Sequence, residues 1–172
     1  MQATIVATDL GSLPDGGFEV ETPIYQASEH VLKKSTQSAQ SYQDLSFGDK
    51  LAFQIDGVIS PDESRRLIEY TEALGFRQAA PGIQTPPGMR QNTTVHWMAH
   101  PRDVEILFSR IEEFVPPEIE NRQSMGALSH RFNTYRYTAG QQFRPHLDGD
   151  WPGFSVNSRT QTLEYWKKGR SM

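Results

Sequence analysis

The sequence predicts an α+β fold in which helices pack on one side of a sheet, and three patterns predict it. First, apolar side chains recur at helical spacing after Ser60 and again after Pro101, which is typical of helices with one buried face. Second, Thr93–Met98 and Phe132–Tyr137 are rich in the β-branched and aromatic residues that favour strands. Third, no apolar run approaches the roughly 18 residues of a membrane span.

The composition indicates one soluble domain. The chain has 172 residues, 36% of them hydrophobic and 10% aromatic, which is enough for a buried core. Its 17 basic and 21 acidic residues give a formal charge of -4, so we expect neither nucleic acid nor a membrane surface as a partner. The lack of cysteine excludes disulfides and thiolate metal sites. We therefore expect a cytoplasmic protein, and the composition leaves a nuclear location open.

We expect residues 1–45 to be an N-terminal extension and linker, and residues 46–172 to form the domain. Glycines and prolines break residues 1–25 into short extended segments, of the kind that adds an edge strand to a sheet. Residues 27–44 are rich in Ser, Gln and Lys, which indicates a linker or a marginal helix.

The helix ends have clear signals. Ser60 can cap the first helix and Glu63, three residues later, can complete a capping box, while Gly75 ends the helix. A strand over Leu51–Val58 precedes this helix, and an irregular loop over residues 78–88 follows it. The predicted buried residues of the two helices are Leu67, Ile68, Thr71 and Leu74, then Val104, Leu107, Phe108, Ile111 and Phe114.

A metal-ligand pair follows the strand Phe132–Tyr137. A turn at Gly140 leads to a second predicted strand over Phe143–Asp148. Because strand side chains alternate between faces, His146 and Asp148 are expected to project to the same side. One imidazole and one carboxylate, with coordination positions left open, form the ligand set that a non-haem Fe(II) oxygenase completes with a second histidine.

The segment around this pair resembles the prolyl-4-hydroxylase-like 2-oxoglutarate/Fe(II) dioxygenases. Roughly residues 50–172 align with that family in order. The residues that carry the likeness are Phe53–Ile68, Met89–Asn92, Asn133–Tyr137, Gly140, Phe143 and His146–Gly149. The resemblance implies the N-terminal part of a double-stranded β-helix, which is a jelly-roll or cupin-like fold, with helices on one side of the sheet.

The resemblance also implies an activity and a set of site residues. The expected activity is hydroxylation of a protein side chain or a small molecule with Fe(II) and 2-oxoglutarate as cofactors, and ascorbate is allowed as a further one. His146 and Asp148 would bind the metal, and Tyr137 would donate a hydrogen bond to 2-oxoglutarate. No catalytic residue is expected beyond the metal site. The residues expected to line the pocket are Arg90, Asn92, Asn133 and Tyr135.

The sequence departs from the family at its end. The family's second metal-binding histidine and its 2-oxoglutarate-binding arginine or lysine have no counterpart, and we interpret His96 and His100 as structural and His130 as no ligand. We therefore expect an incomplete ligand set and an inactive chain. Two alternatives stay open: a non-catalytic fragment or interaction module, and a cupin-like metal-binding protein of other chemistry. The substrate, the oligomeric state and the role of residues 1–45 are left undetermined.

Overall fold

The structure, a computed structural model, describes residues 3–34, 40–82, 85–119, 122–124, 126–148, 151–157, 159–160 and 163–171. Its helices are α1 (Pro61–Leu74) and α2 (Pro101–Ile111), and a 3-10 turn, Glu112–Phe114, extends α2. Its strands are β1 (Ala3–Ser12), β2 (Phe18–Ala27), β3 (Ser41–Asp44), β4 (Phe53–Asp56), β5 (Ala80–Pro81), β6 (Thr93–Met98), β7 (Glu118–Ile119), β8 (Arg122–Gln123), β9 (Arg131–Arg136), β10 (Trp151–Val156) and β11 (Leu163–Ser171). The predicted α+β class is confirmed at this level.

The main sheet has five strands in the order β5-β1-β2-β6-β9. Every neighbouring pair in it is antiparallel except β2 and β6, which are parallel. Three two-stranded hairpins, β3-β4, β7-β8 and β10-β11, accompany it. The N-terminal segment, predicted to add an edge strand, supplies two strands, and neither of them lies at an edge of the main sheet. The boundary near residue 46 therefore does not separate the N-terminal residues from this sheet.

Both helices pack against one face of the main sheet. The indole ring of Trp97 on β6 lies between Tyr70 of α1 and Phe132 of β9, and both pairs of ring centroids are 5.1 Å apart. Val104 of α2 belongs to the same cluster. Burying aromatic rings of this size contributes much of the core's stabilisation, at about 25 cal/mol per Å² of apolar surface. Neither helix in the described part of the chain has the length and apolarity that crossing a membrane requires.

The predicted buried faces of the helices need two corrections. Ile68 of α1 is 59% exposed, and Tyr70 is buried in its place. On α2 the fully buried residues are Val104, Ile106 and two charged residues, whereas Leu107 and Phe108 are only partly buried. Helical spacing finds an apolar stripe, but it cannot show that a neighbouring segment buries charged groups beside that stripe.

The first of these charged groups is Arg110, which pairs with Glu63 of α1. Two of its guanidinium nitrogens donate to the two carboxylate oxygens at 3.0 and 2.9 Å, and both side chains are buried. The same carboxylate accepts from the backbone N–H of Ser60, which completes the predicted capping box, and from that of Lys33. The guanidinium also donates to the Val58 carbonyl. The Glu63–Arg110 ion pair thus joins α1 and α2 to the loops that contain Lys33 and Val58.

The second charged group is Asp103 in the first turn of α2. Its carboxylate accepts hydrogen bonds from the backbone N–H groups of Val31 and Leu32, at 2.8 to 3.0 Å. Both apolar side chains are 3% exposed. This part of the segment predicted to be a linker or a marginal helix is therefore a buried, non-helical stretch, because a carboxylate rather than a helical ladder satisfies its N–H groups.

Two strand predictions also need correction. The strand predicted over Leu51–Val58 is shorter, since Gly57 adopts a positive φ of 74° just after β4. The strand predicted over Phe143–Asp148 is absent, and a single bridge between Phe143 and Arg90 stands there. Pro145 explains the difference, because a proline has no N–H to donate to a strand ladder.

The Glu63→Gln substitution tests the buried ion pair. Glutamine keeps the size of the side chain but removes its charge, which leaves a buried guanidinium without its counter-ion. We expect the free energy of unfolding, measured with urea, to fall by about 3–5 kcal/mol.

Asp62→Asn is the matched control for that substitution. Asp62 is the neighbouring residue and pairs with Arg65 at the surface, at 3.0 Å. Its substitution should cost less than about 1 kcal/mol. Equal losses of unfolding free energy in the two variants would show that the buried Glu63 pair stabilises the fold no more than a surface pair does.

Candidate functional site

The pairing of β6 with β9 decides which side chains face away from the helices. Trp97, Phe132 and Thr134 lie on the helix side, where the Trp97 indole N–H donates to the Thr134 hydroxyl at 3.0 Å. Because strand side chains alternate, the residues between them lie on the opposite face. In the register of the two strands, Thr94 lies opposite Tyr135 and His96 opposite Asn133, and Met98 lies opposite Arg131. We call this side the polar face.

The polar face holds buried polar groups. Thr94 and His96 are each 1% exposed, while Tyr135 is partly buried and Asn133 is exposed. Arg131 approaches His96, with its guanidinium Nη2 at 2.9 Å from the imidazole Nδ1. Of these residues, the sequence predicts only Asn133 and Tyr135 at a site. The alternation of side chains along β6 could have indicated Thr94 and His96, because both lie on the face opposite to Trp97.

Burial and two neighbouring cations lower the pKa of His96 to about 3. Desolvation is the larger cause, and the positive charges of Arg131 and Arg90 add to it. The imidazole is therefore neutral at physiological pH. A guanidinium has donors only, so the Nδ1 atom that faces Arg131 accepts, and the ring proton is on Nε2.

Arg90 and Asn92, expected at the mouth of a pocket, are both fully buried. The Arg90 guanidinium donates to the backbone carbonyls of Asn92 and Ser12 at 2.9 and 3.0 Å, and to that of Gln78. Burial lowers the pKa of Arg90, whereas Tyr135 opposes that shift. Arg90 is thus a buried cation that ties the start of β6 to two other segments of the chain.

The backbone around Arg90 positions the segment that carries the predicted metal ligands. The N–H of Gln91 donates to the Gln142 carbonyl at 3.0 Å, and the N–H of Arg144 donates to the Met89 carbonyl at 2.9 Å. These bonds flank the bridge between Arg90 and Phe143. A short antiparallel contact, rather than a full strand, therefore holds residues 142–144 beside Arg90.

Phe143 links the polar face to His146. Its ring meets Tyr135 edge-on, with 6.3 Å between the centroids, and stacks on the His146 ring at 3.9 Å with an interplanar angle of 15°. The Tyr135 pKa is raised mainly by burial, and the negative charge of Asp148 contributes to that shift. Tyr135, Phe143, His146 and Asp148 thus form one local group. Tyr137, on the same side of the chain as Tyr135, is 48% exposed.

His146 and Asp148 meet although they are not on a strand. The imidazole Nε2 lies 3.1 Å from the carboxylate Oδ1. The other ring nitrogen, Nδ1, lies 2.7 Å from the Arg144 carbonyl oxygen, which can only accept, so Nδ1 carries a proton. In the neutral ring Nε2 then presents a lone pair toward a carboxylate. That contact is favourable only when a proton or a metal ion lies between the two atoms.

The pair is the whole of the metal-ligand cluster in the part of the chain that the structure describes. Within those residues no three His, Cys, Asp or Glu side chains are grouped closely enough to hold an ion. His100 instead caps α2 by accepting from the Arg102 N–H at 3.2 Å, and His130 is half-buried with a pKa lowered by burial. The two ligands that the sequence predicts are therefore together, and the described residues add no third.

His96 should make stability depend on pH. The unfolded chain binds a proton at this residue below its ordinary pKa of about 6.5, while the folded chain binds one only near pH 3. The unfolded state thus holds more protons between these values, and stability should fall as the pH drops through that window. The fall is at most about 1.4 kcal/mol per pH unit from this group.

Urea unfolding of the wild type and of His96→Leu at pH 4, 5, 6 and 7 checks this. Leucine does not titrate, so the variant's stability should depend less steeply on pH, whatever its absolute value. Parallel pH profiles for the two proteins would contradict the assignment.

Comparison of the chain with protein-family models, with curated proteins and with solved structures found no match. The central elements of the site are the His146–Asp148 pair and the buried cation Arg90, which are connected through Phe143.

Proposed function

We propose that this chain belongs to a 2-oxoglutarate/Fe(II)-dependent dioxygenase and that His146 and Asp148 are two of the metal's protein ligands. The double-stranded β-helix fold is part of the same proposal. The observation that carries it is the 3.1 Å contact between His146 Nε2 and Asp148 Oδ1, with Nδ1 held by the Arg144 carbonyl.

The separation of these two atoms fits a bound ion. Two ligand atoms about 2.1 Å from an octahedral ion and at right angles to each other are roughly 3.0 Å apart. A metal-binding histidine commonly donates its other ring N–H to a carbonyl or carboxylate, which fixes the tautomer and the ring orientation. His146 has that second contact already, and its stacking on Phe143 further fixes the plane of the ring.

The chain's own residues have distinct tasks in this proposal. His146 and Asp148 would hold the ion, and Tyr137 would donate its phenolic hydrogen to a carboxylate oxygen of 2-oxoglutarate. Asn133 and Tyr135 would line the side of the cavity formed by β9, and Arg90 and Asn92 would support it from the buried side. Iron, when bound, would supply the oxygen activation and decarboxylation chemistry that hydroxylates a protein side chain or a small molecule.

Anaerobic titration with Fe(II), followed by assay of succinate from 2-oxoglutarate, tests the proposal. We expect one ion per chain, and we expect His146→Ala to weaken its binding at least tenfold, about the loss that even a supporting contact of a metal site causes. His30→Ala is the matched control, because His30 is exposed and contacts His100 instead. Iron binding that is equal in the wild type and in His146→Ala would exclude His146 as a ligand.

Succinate formation separates the proposed enzyme from its alternatives. Iron binding with succinate release supports the dioxygenase. Iron binding without release agrees with the expected inactive dioxygenase chain if 2-oxoglutarate strengthens the iron binding, and it favours a cupin-like metal-binding protein of other chemistry if 2-oxoglutarate has no effect. No binding favours a non-catalytic interaction module.

Tyr137→Phe tests the assignment of the cofactor-binding hydroxyl. The loss of one hydrogen bond, about 0.5–1.5 kcal/mol, should raise the dissociation constant for 2-oxoglutarate roughly 2- to 12-fold. Iron affinity should not change. Tyr42→Phe, on the β3-β4 hairpin, is the control and should match the wild type in both measurements. An unchanged dissociation constant in Tyr137→Phe would remove this tyrosine from the proposed site.

A further inference from the structure

Arg90, Thr94 and His96 each have a buried hydrogen-bond donor without a partner in the part of the chain that the structure describes. These donors are the Nε–H of Arg90, the hydroxyl of Thr94 and the Nε2 position of His96, and we call them the donor cluster. Their side chains are 0%, 1% and 1% exposed. A buried donor that lacks an acceptor destabilises the fold, so three together need an explanation.

His96 contributes a donor because its tautomer is fixed. Arg131 Nη2 faces Nδ1 at 2.9 Å and can only donate, which leaves the proton on Nε2. The depressed pKa of about 3 keeps the ring in this neutral form. The Nε2 atom of His96 therefore presents an N–H group to its surroundings, and the ring carries no charge.

The strand register and the electrostatics relate the three donor side chains to one another. Thr94 and His96 are two residues apart on β6 and point to the same face, so they are about 7 Å apart along the strand. The Arg90 charge lies close enough to His96 to lower its pKa. Arg90 Nη1 donates to one carbonyl and Nη2 to two, whereas the Nε–H has no acceptor among the described residues.

A ligand of the donor cluster must also balance the positive charge of Arg90. No carboxylate among the described residues forms an ion pair with this guanidinium, and carbonyl oxygens supply no net charge. A buried charge without a counter-ion is costly. Water molecules could satisfy the donors, but they would leave the charge unbalanced.

We propose that the donor cluster of Arg90, Thr94 and His96 binds the carboxylate group of a small molecule. A carboxylate carries a negative charge that would offset the buried positive charge of Arg90, and its two oxygens accept several hydrogen bonds. None of the cluster's three residues is a proposed metal ligand, and binding of the carboxylate needs no metal ion. The proposal therefore stands or fails apart from the proposed dioxygenase function.

The test uses the full chain, treated with a chelator and then desalted into a solution free of carboxylates and phosphate. Acetate, succinate, 2-oxoglutarate and inorganic phosphate are added separately, each against sodium chloride at the same ionic strength. The readout is the side-chain ¹H–¹⁵N signal of His96, assigned by its loss in His96→Gln. We expect saturable movement of this signal with the carboxylates, at concentrations on the order of millimolar.

The acids also distinguish the kind of carboxylate. Saturation by acetate and succinate alike supports a site for a single carboxylate group, and tighter binding of 2-oxoglutarate than of both identifies the proposed cofactor as its ligand. Saturation by phosphate alone overturns the carboxylate assignment. No saturable movement with any of the four anions overturns the site itself.

Thr94→Val provides the sharpest variant. Valine has nearly the same shape, so the fold should persist, while loss of the hydroxyl donor should weaken carboxylate binding roughly 2- to 12-fold. Thr93→Val is the matched control, because Thr93 is the adjacent strand residue and its side chain faces the other way. Equal affinity in Thr94→Val and Thr93→Val would count against the proposal. Arg90→Gln should abolish binding, provided that its thermal unfolding stays cooperative.

Discussion

The fold depends most on the buried carboxylate of Glu63. It accepts hydrogen bonds from Arg110, from its own helix's N-cap and from the chain after β2, so a single side chain fixes the entry of α1, the position of α2 and the path of the N-terminal segment. Asp103 repeats the arrangement one helix later. The helices are therefore held by charges that stabilise only in the assembled structure, because each desolvated partner alone is unfavourable.

The elements whose formation depends on neighbouring residues were predicted well from the sequence. The capping box, Pro61 and Gly75 fix α1 within its own turn of chain, and β6 and β9 follow from their β-branched and aromatic residues. The interior place of β2 could not be predicted in this way. Its pairing with β1 is local, but its second partner, β6, begins only at Thr93, and residues 1–25 taken alone are short apolar runs between turns.

The candidate site shows the same difference between what neighbouring residues can predict and what depends on distant ones. His146 and Asp148 meet as expected, although for a different reason: the carbonyl of Arg144 and the ring of Phe143 position the imidazole where a strand was predicted. Their proximity in sequence made the pair predictable. His96 was not predicted as a site residue, because its importance comes from burial and from the approach of Arg131, and neither is visible in a residue's immediate neighbours.

The parallel pairing of β2 with β6 has a consequence for the order in which the sheet forms. The β1-β2 hairpin is local and can close early, but the partner of its free edge begins only at Thr93, after β3, β4 and α1. Closing such a long loop costs entropy before any contact repays it. During synthesis the N-terminal hairpin therefore waits with an unpaired strand edge, the structure most open to pairing with a neighbouring chain. A contact that covers the edge of β2 during synthesis should therefore raise the yield of folded protein.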